Sequence, residues 1–349
     1  MRWSALAFPL LILLVAGPIP GVVQSPPPYD FRQIIRAERV NVPARLRAGG
    51  SLGSLRIVEA WRLRSPNSVF GGFSALAQVQ PRQFLLASDV AVIARFGLDR
   101  SGDISNPHIS ALVGPGHFTR KSSRDMESLT IDVAHNRAWA GFEWYNSIWR
   151  FDASLTRVTG MVHPRAMRDW LRSSGPEAMT MLPDGRLLVL SEASPAPGGG
   201  PAAGLFAGDP VDGAPAHSFA YRSDGIGKVT DAAMLPDGRV LILHRSFHLL
   251  SGFRSALAIA DPAQIRPGRL WTSRVIARFA PPLPNDNFEG ISVEPAAGGA
   301  YVWMVSDDNF TNWQQTLLLK LFVPLAPREA AGQKAAGPRA PERTSPASR

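Results

Sequence analysis

Five segments of the chain share one pattern: an apolar-alternating strand, a turn, and a second, more strongly apolar strand. Three align by their turns: PEAMTMLPDGRLLVLSE from Pro176, VTDAAMLPDGRVLILHR from Val229 and FEGISVEPAAGGAYVWMVSD from Phe288. Two looser copies are FSALAQVQPRQFLLASD from Phe73 and MESLTIDVAHNRAWAGFEW from Met126. In Pro183-Asp184-Gly185 and Pro236-Asp237-Gly238 the proline presets φ and the glycine takes the positive-φ position of a tight turn. The positions that open the first strand of each unit, Ser74, Glu127, Glu177, Thr230 and Glu289, lie 53, 50, 53 and 59 residues apart. A period near 50 with four short strands per unit predicts the blades of a β-propeller.

A third strand follows each hairpin: VIARFGLD, SIWRFDA, GLFAGD, SALAIAD and TLLLKLF. The first four units also have room for a fourth, whereas the last runs from Phe322-Val323 straight into the tail. The segment SLRIVEAWRLR (Ser54 to Arg64) precedes the first unit and is expected to supply the missing strand, closing the ring and removing exposed sheet edges. The expectation is an all-β chain: a single closed propeller over 51–323 with five four-stranded blades, or six if a long connection hides a degenerate one. No stretch of the body sustains helical periodicity beyond about three turns, MRDWLRSS from Met167 being the best. Outside the body, 1–25 reads as a signal peptide or N-terminal anchor, 26–50 as a linker and 324–349 as a disordered, Ala-, Pro- and charge-rich tail.

The signal rests on Met1-Arg2 followed by the apolar run Ala5 to Gly17, too short for a comfortable membrane span and suited to a signal-peptide core. The mature protein is therefore expected in the periplasm or medium without a membrane span, the alternative being anchorage through residues 5–17. The absence of cysteine removes disulfides, thiolate nucleophiles and zinc–thiolate sites together. The net charge of +9 comes from 33 Arg and four Lys, part of it in the tail. A positive field attracts anionic ligands. With no basic run interleaved with aromatics and no reader motif, nucleic acid is not an expected partner. The tryptophans, Trp139, Trp144, Trp149 and Trp303 among them, are expected to pack between blades.

The FGGFSAL opening, DAAMLPDGRVLILHRSF, NFEGISVE and VSDDNF with QQTLLLKLF resemble the bacterial "esterase-like activity of phytase" family, whose members carry a phytase-like propeller domain. The resemblance covers roughly 51–323 and is most specific from Asn287 to Leu321. It implies export and hydrolysis of phosphate or carboxyl esters. At one place the chain departs from the family: after Ser88-Asp89 a basic residue and Gly are usual, and here Val90-Ala91 follow.

Propeller geometry turns the repeat into a site map, because the start of each first strand and the end of each second strand share one face. Starts give Ser74, Glu127, Glu177, Thr230 with Asp231, and Glu289; ends give Asp89, Glu143, Glu192, His244 with Arg245, and Asp307 with Asp308. Two mainly acidic rings then surround one mouth of the channel. Glu127, Glu177, Asp231, Glu289, Asp307 and Asp308 are the candidate ligands for Ca²⁺ or another divalent cation, since an all-oxygen donor set suits hard ions. Glu289, Asp307, His244 and Arg245 are the catalytic candidates, and Arg245, Arg124 and Lys228 would bind an anionic or ester substrate. Two other readings stand beside this one: the acids cap turns and hold the blades in register, or the mouth binds a small ligand or protein partner without turnover. Ser74, in GFSAL, imitates a nucleophile elbow but lacks its final Gly.

Overall fold

A computed structural model describes residues 29–116, 124–222, 225–250 and 252–325; the expectations for 1–25 and for nearly all of 324–349 lie outside the described residues. Among the described residues the helical turns are short 3-10 segments; one of them, Arg165–Met167, ends at the first residue of the best helix candidate of the sequence. In the described residues twenty-two strands form five sheets.

Strands β1 (Arg36–Arg39) and β2 (Arg56–Arg64) come first in the chain and belong to the last blade. Blade one is β3 (Phe73–Gln80), β4 (Gln83–Ser88), β5 (Val92–Leu98) and β6 (Ile104–Ala111). Blade two is β7 (Met126–Asp132), β8 (Arg137–Phe142), β9 (Ser147–Phe151) and β10 (Val158–Val162). Blade three is β11 (Pro176–Met181), β12 (Leu187–Pro195), β13 (Pro201–Phe206) and β14 (Ala216–Arg222). Blade four is β15 (Lys228–Met234), β16 (Val240–His248), β17 (Gly252–Ala260) and β19 (Arg274–Phe279); the short β18 (Leu270–Thr272) between the last two joins the outer edge of blade three, parallel to β14. Blade five is β20 (Asn287–Ala296), β21 (Gly299–Asp307) and β22 (Thr316–Pro324).

The fourth strand of blade five is β2, antiparallel to β22 from Arg56↔Phe322 to Leu63↔Thr316, and β1 adds a fifth at its edge. The innermost strands β3, β7, β11, β15 and β20 each pack on the next, and β20 packs on β3. Five blades complete the circle.

The two PDG turns fold alike. Leu182 N–H donates to Arg186 O (2.8 Å) with Gly185 at φ 84°, and Leu235 N–H donates to Arg239 O (2.8 Å) with Gly238 at φ 82°. They lie on the face opposite the mouth. Between blades the core is aromatic and aliphatic: Trp303 of blade five meets Phe84 of blade one edge-on at 4.7 Å, and the Trp139 indole of blade two reaches Asp209 in the β13–β14 connection of blade three. Trp144 departs from the expected packing, standing 38% exposed on the mouth face.

Most of the stretch expected to be a linker is part of the body. Ile35 and Val42 are buried in it, and β1 pairs in register with β2. The sequence RAER hides this, since an edge strand with little buried surface needs no apolar alternation.

Gly290 marks the join of blades five and one. A Cβ there would lie 2.7 Å from Leu76 N and 2.9 Å from Ala75 C, both backbone atoms that cannot swing aside. Gly290→Ala should therefore cost roughly 1–3 kcal/mol by forcing the two inner strands apart. Thermal melting checks this, and an unchanged midpoint would mean the blades separate freely.

Candidate functional site

In all five inner strands the pairing register slips at the second or third residue: between Phe73 and Ala75, Met126 and Ser128, Pro176 and Ala178, Val229 and Asp231, and Phe288 and Gly290. The residues left over are Ser74, Glu127, Glu177, Thr230 and Glu289, the ring read from the repeat. A β-bulge leaves its extra residue outside the ladder, bends the strand and re-aims the side chain. The same bulge in every blade thus sets one side chain per blade at the mouth.

Short and long side chains at these positions do different work. Ser74 Oγ donates to Met126 O (2.6 Å) and Thr230 Oγ1 donates to Phe288 O (3.3 Å), each tying its blade to the start of the next. Ser74 is a blade fastener. The three glutamates are too long for that bond, and they gather with the second-strand ends Asp89, Glu143, Glu192 and Asp307.

Arg245 and Lys228 are the cations paired with this cluster among the described residues. Arg245 Nη2 lies 3.2 Å from Glu192 Oε1 and its Nη1 3.3 Å from Glu289 Oε1, while Nη1 also donates to Asn287 Oδ1 (3.1 Å). Lys228 Nζ pairs with Glu192 Oε2 at 2.8 Å. Asn287 Nδ2 donates to Glu289 Oε1 (2.8 Å) and to Asp307 Oδ2 (3.3 Å). One guanidinium therefore links the second strand of blade three to the inner strand of blade five across the mouth.

The remaining carboxyls have less compensation. Glu177 is 6% exposed, and its Oε2 has no hydrogen-bond partner. Burial drives the Glu127 and Glu177 carboxyls well above the ordinary range, with further push from neighbouring glutamates. Burial raises Glu289 as well, with Arg245 and Asn287 opposing. Burial, with Asp125 alongside, raises Glu143 to about 7; burial, with Glu289 alongside, raises Asp307 to about 8.

One carboxylate oxygen from each of Asp125, Glu127 and Glu143 lies within 4.8 Å of the others. These hard oxygen donors suit Ca²⁺ or Mg²⁺, and the unpartnered Glu177 Oε2 is a buried acceptor in the same cluster. The residues present fit a divalent cation. Asp125 and Glu143 complete a set of which only Glu127 is among the ligands expected from the sequence; Asp125-Met126-Glu127 is the signal the sequence offers for it.

Four expected site residues have other roles. Asp231 accepts from Ala232 N–H and Ile291 N–H, both at 2.7 Å, fastening blade four to blade five. Asp308 accepts from Gly72 N–H, Phe310 N–H and the Thr316 hydroxyl, organising the β21–β22 connection and the entry to blade one. His244 is fully buried with Nε2 2.9 Å from the Tyr221 hydroxyl, and burial lowers it to about 3, so it is neutral and faces blade three. Arg124 is 3% exposed and donates to the carbonyls of Pro115, Ala91 and Leu112, clamping the connection between blades one and two. Neither ring nitrogen of His244 nor the Arg124 guanidinium serves the mouth. Arg245, Lys228, Glu127, Glu177, Glu289 and Asp307 do converge there.

The departure at Val90-Ala91 has a backbone explanation. Ala91 is buried at φ 54°, a conformation in which glycine costs least. The turn keeps its geometry with alanine, and the basic side chain usual at the preceding position is replaced by Val90.

A family model described as "Phytase-like: Esterase-like activity of phytase" matches residues 68–310. No curated protein matches the chain in sequence. Among solved structures, hydrazine synthase of Kuenenia stuttgartiensis is 12% identical with a TM-score of 0.39, covering 73% of this chain, which in turn spans 64% of that one. A Bacteroides fragilis protein assigned as a 6-phosphogluconolactonase is 12% identical, covers 75% of this chain and 78% of its own, and has a TM-score of 0.39. The allergen Mala s 1 of Malassezia sympodialis is 11% identical, covers 72% of this chain and 92% of its own, and has a TM-score of 0.42.

Proposed function

The chain belongs to the Phytase-like family described by its esterase-like activity, and on that premise we propose that it is an exported hydrolase of phosphate or carboxyl esters, acting at the acid-lined mouth with a divalent cation. The observation that carries this reading is the convergence of the Asp125, Glu127 and Glu143 oxygens within 4.8 Å beside the partnerless Glu177 Oε2. Asp125, Glu127 and Glu143 would hold the ion, with Glu177 the nearest reserve ligand. When bound, such an ion polarises an ester oxygen and acidifies a water.

The chain's own groups divide the other tasks. Asp307, raised to about 8, carries a proton at neutral pH and is suited to protonate a leaving oxygen. Lys228, with its side chain 56% exposed, is the cation placed to meet an anionic substrate. Arg245, held by Glu192, Glu289 and Asn287, positions those carboxylates. Export rests on the apolar run Ala5 to Gly17; among the described residues no helix is long and apolar enough to cross a membrane.

Binding without turnover is the second reading. It is favoured by the state of the ring hydroxyls, since Ser74 and Thr230 both donate to main-chain carbonyls and neither is poised as a nucleophile.

Release of chromophore from aryl phosphate and short acyl esters, in Ca²⁺ and in chelator, separates the two. The hydrolase reading expects cation-dependent turnover of one ester class, reduced on the order of 10²-fold or more in Glu127→Gln and in Asp307→Asn. Ca²⁺-stabilised protein that turns over neither class would leave the binding reading in place.

A further inference from the structure

We propose that the mouth face docks on an anionic lipid surface, with the tip of the β16–β17 hairpin as its inserted element. Past Arg245 these two strands stay paired for three more rungs, Ser246↔Arg254, Phe247↔Phe253 and His248↔Gly252. At a strand rise near 3.3 Å the hairpin extends roughly 10 Å beyond the ring of carboxylates. Its tip carries Leu249 and Leu250, 89% and 99% exposed. Phe247, 55% exposed, packs on Phe253 at 4.9 Å, and Phe253 stacks in turn on Trp313 of the neighbouring blade, itself 68% exposed.

The asymmetry extends across the whole face. Phe310 flanks Trp313, Trp144 and Tyr145 occupy the turn of blade two, and Tyr29 and Phe31 stack on each other beside blade five. These and Phe247 are all the exposed large aromatics among the described residues, and every one is on the mouth side. The opposite face offers Val79 and Val133. Exposed aromatic and leucine side chains gathered on one face mark an interaction surface, and a Leu-Leu tip with Phe and Trp beneath it and Trp and Tyr elsewhere on the same face is the composition that partitions into the boundary between headgroups and acyl chains.

Charge and chain direction choose lipid over other occupants. Arg165, Arg168 and Arg172 are exposed on this face between β10 and β11, the last over the Trp144 ring at 5.8 Å, and the chain carries +9 overall. Asp169 is the one exposed acid within this arginine segment, while Glu177, Glu192 and Glu289 are 6–8% exposed inside the mouth. The described chain starts on this face, where Asp30 N–H donates to Ser68 Oγ, and the apolar run Ala5 to Gly17 precedes it in sequence.

Cosedimentation of the full chain with vesicles tests the proposal, using phosphatidylcholine alone and phosphatidylcholine mixed with phosphatidylglycerol. Wild type should bind the mixed vesicles preferentially and lose binding as salt is raised. Leu249→Ser with Leu250→Ser should lower partitioning about tenfold or more without moving the melting temperature, because both side chains are solvated in the free protein. Arg165→Ala, Arg168→Ala and Arg172→Ala together should weaken binding to the anionic vesicles alone. Undiminished binding of the leucine variant would overturn the proposal by assigning attachment to Ala5 to Gly17. So would a wild type that ignores both vesicles, including one that self-associates through the hairpin in sedimentation velocity.

Discussion

Arg245→Met should destabilise the propeller by about 3 kcal/mol at neutral pH, near the low end of the range for breaking a buried ion pair because the side chain keeps some solvent contact. Arg245 is 22% exposed and its guanidinium serves Glu192 and Glu289 at once. Methionine fills the volume and leaves both carboxylates without it. The loss should depend on pH in a stated direction. Arg245 holds the Glu289 and Glu177 carboxyls down against the burial that raises them, so its removal lets both rise further. A carboxyl raised in the folded state binds protons more readily folded than unfolded, and stability then falls as pH climbs from the unfolded value through the folded one. Urea midpoints of wild type and variant should accordingly lie closer at pH 5 than at pH 8. A gap of equal size at both would mean that Arg245 contributes packing and no charge compensation.

The blade count, the blade order and the N-terminal strand in the last sheet were legible because each repeats or completes a local pattern. So was the ring of bulged residues, since the spacing of Ser74, Glu127, Glu177, Thr230 and Glu289 needs only sequence arithmetic. The direction of a neighbouring side chain was not. Thr230 and Asp231 are adjacent, as are His244 and Arg245, and Asp307 and Asp308: Arg245 and Asp307 serve the mouth, whereas His244 is turned into the body and Asp231 and Asp308 accept from main-chain N–H groups of neighbouring segments. Alternation along a strand would settle which, but a bulge advances the phase by one residue, and the repeat spacing gives the ring positions without showing that the ladder slips there. Arg124 and β1 were missed for another reason: a buried arginine on three carbonyls and an edge strand written RAER both look like solvated surface in one dimension.

Cation binding should appear as a stabilisation that grows with pH. In chelator, raising the pH from about 5 to about 8 should lower the melting temperature, because Glu143, lifted to about 7, and Asp307, lifted to about 8, must ionise among other carboxylates. Glu127 and Glu177, raised well above the ordinary range, add to this in the same direction. The sign follows from proton linkage, since the folded state holds more protons than the unfolded one throughout that window. A divalent ion competes with those protons and binds the ionised site, so its affinity rises as they leave. At a hundredfold excess over its dissociation constant it would contribute about 2.7 kcal/mol, on the order of 5 °C for a domain of this size. The gap between Ca²⁺ and chelator should therefore be small at pH 5 and several degrees at pH 8. Glu289→Gln and Glu127→Gln discriminate within the cluster. Glu127→Gln removes one of the three converging oxygens and should shrink the gap at pH 8, while Glu289→Gln, on the Arg245 side, should lower stability with the gap largely kept. Wild type melting identically in Ca²⁺ and chelator across the whole range would end the case for a cation at this mouth. The acids would then be fasteners of the ring, held together by Arg245 and by the protons burial leaves on them.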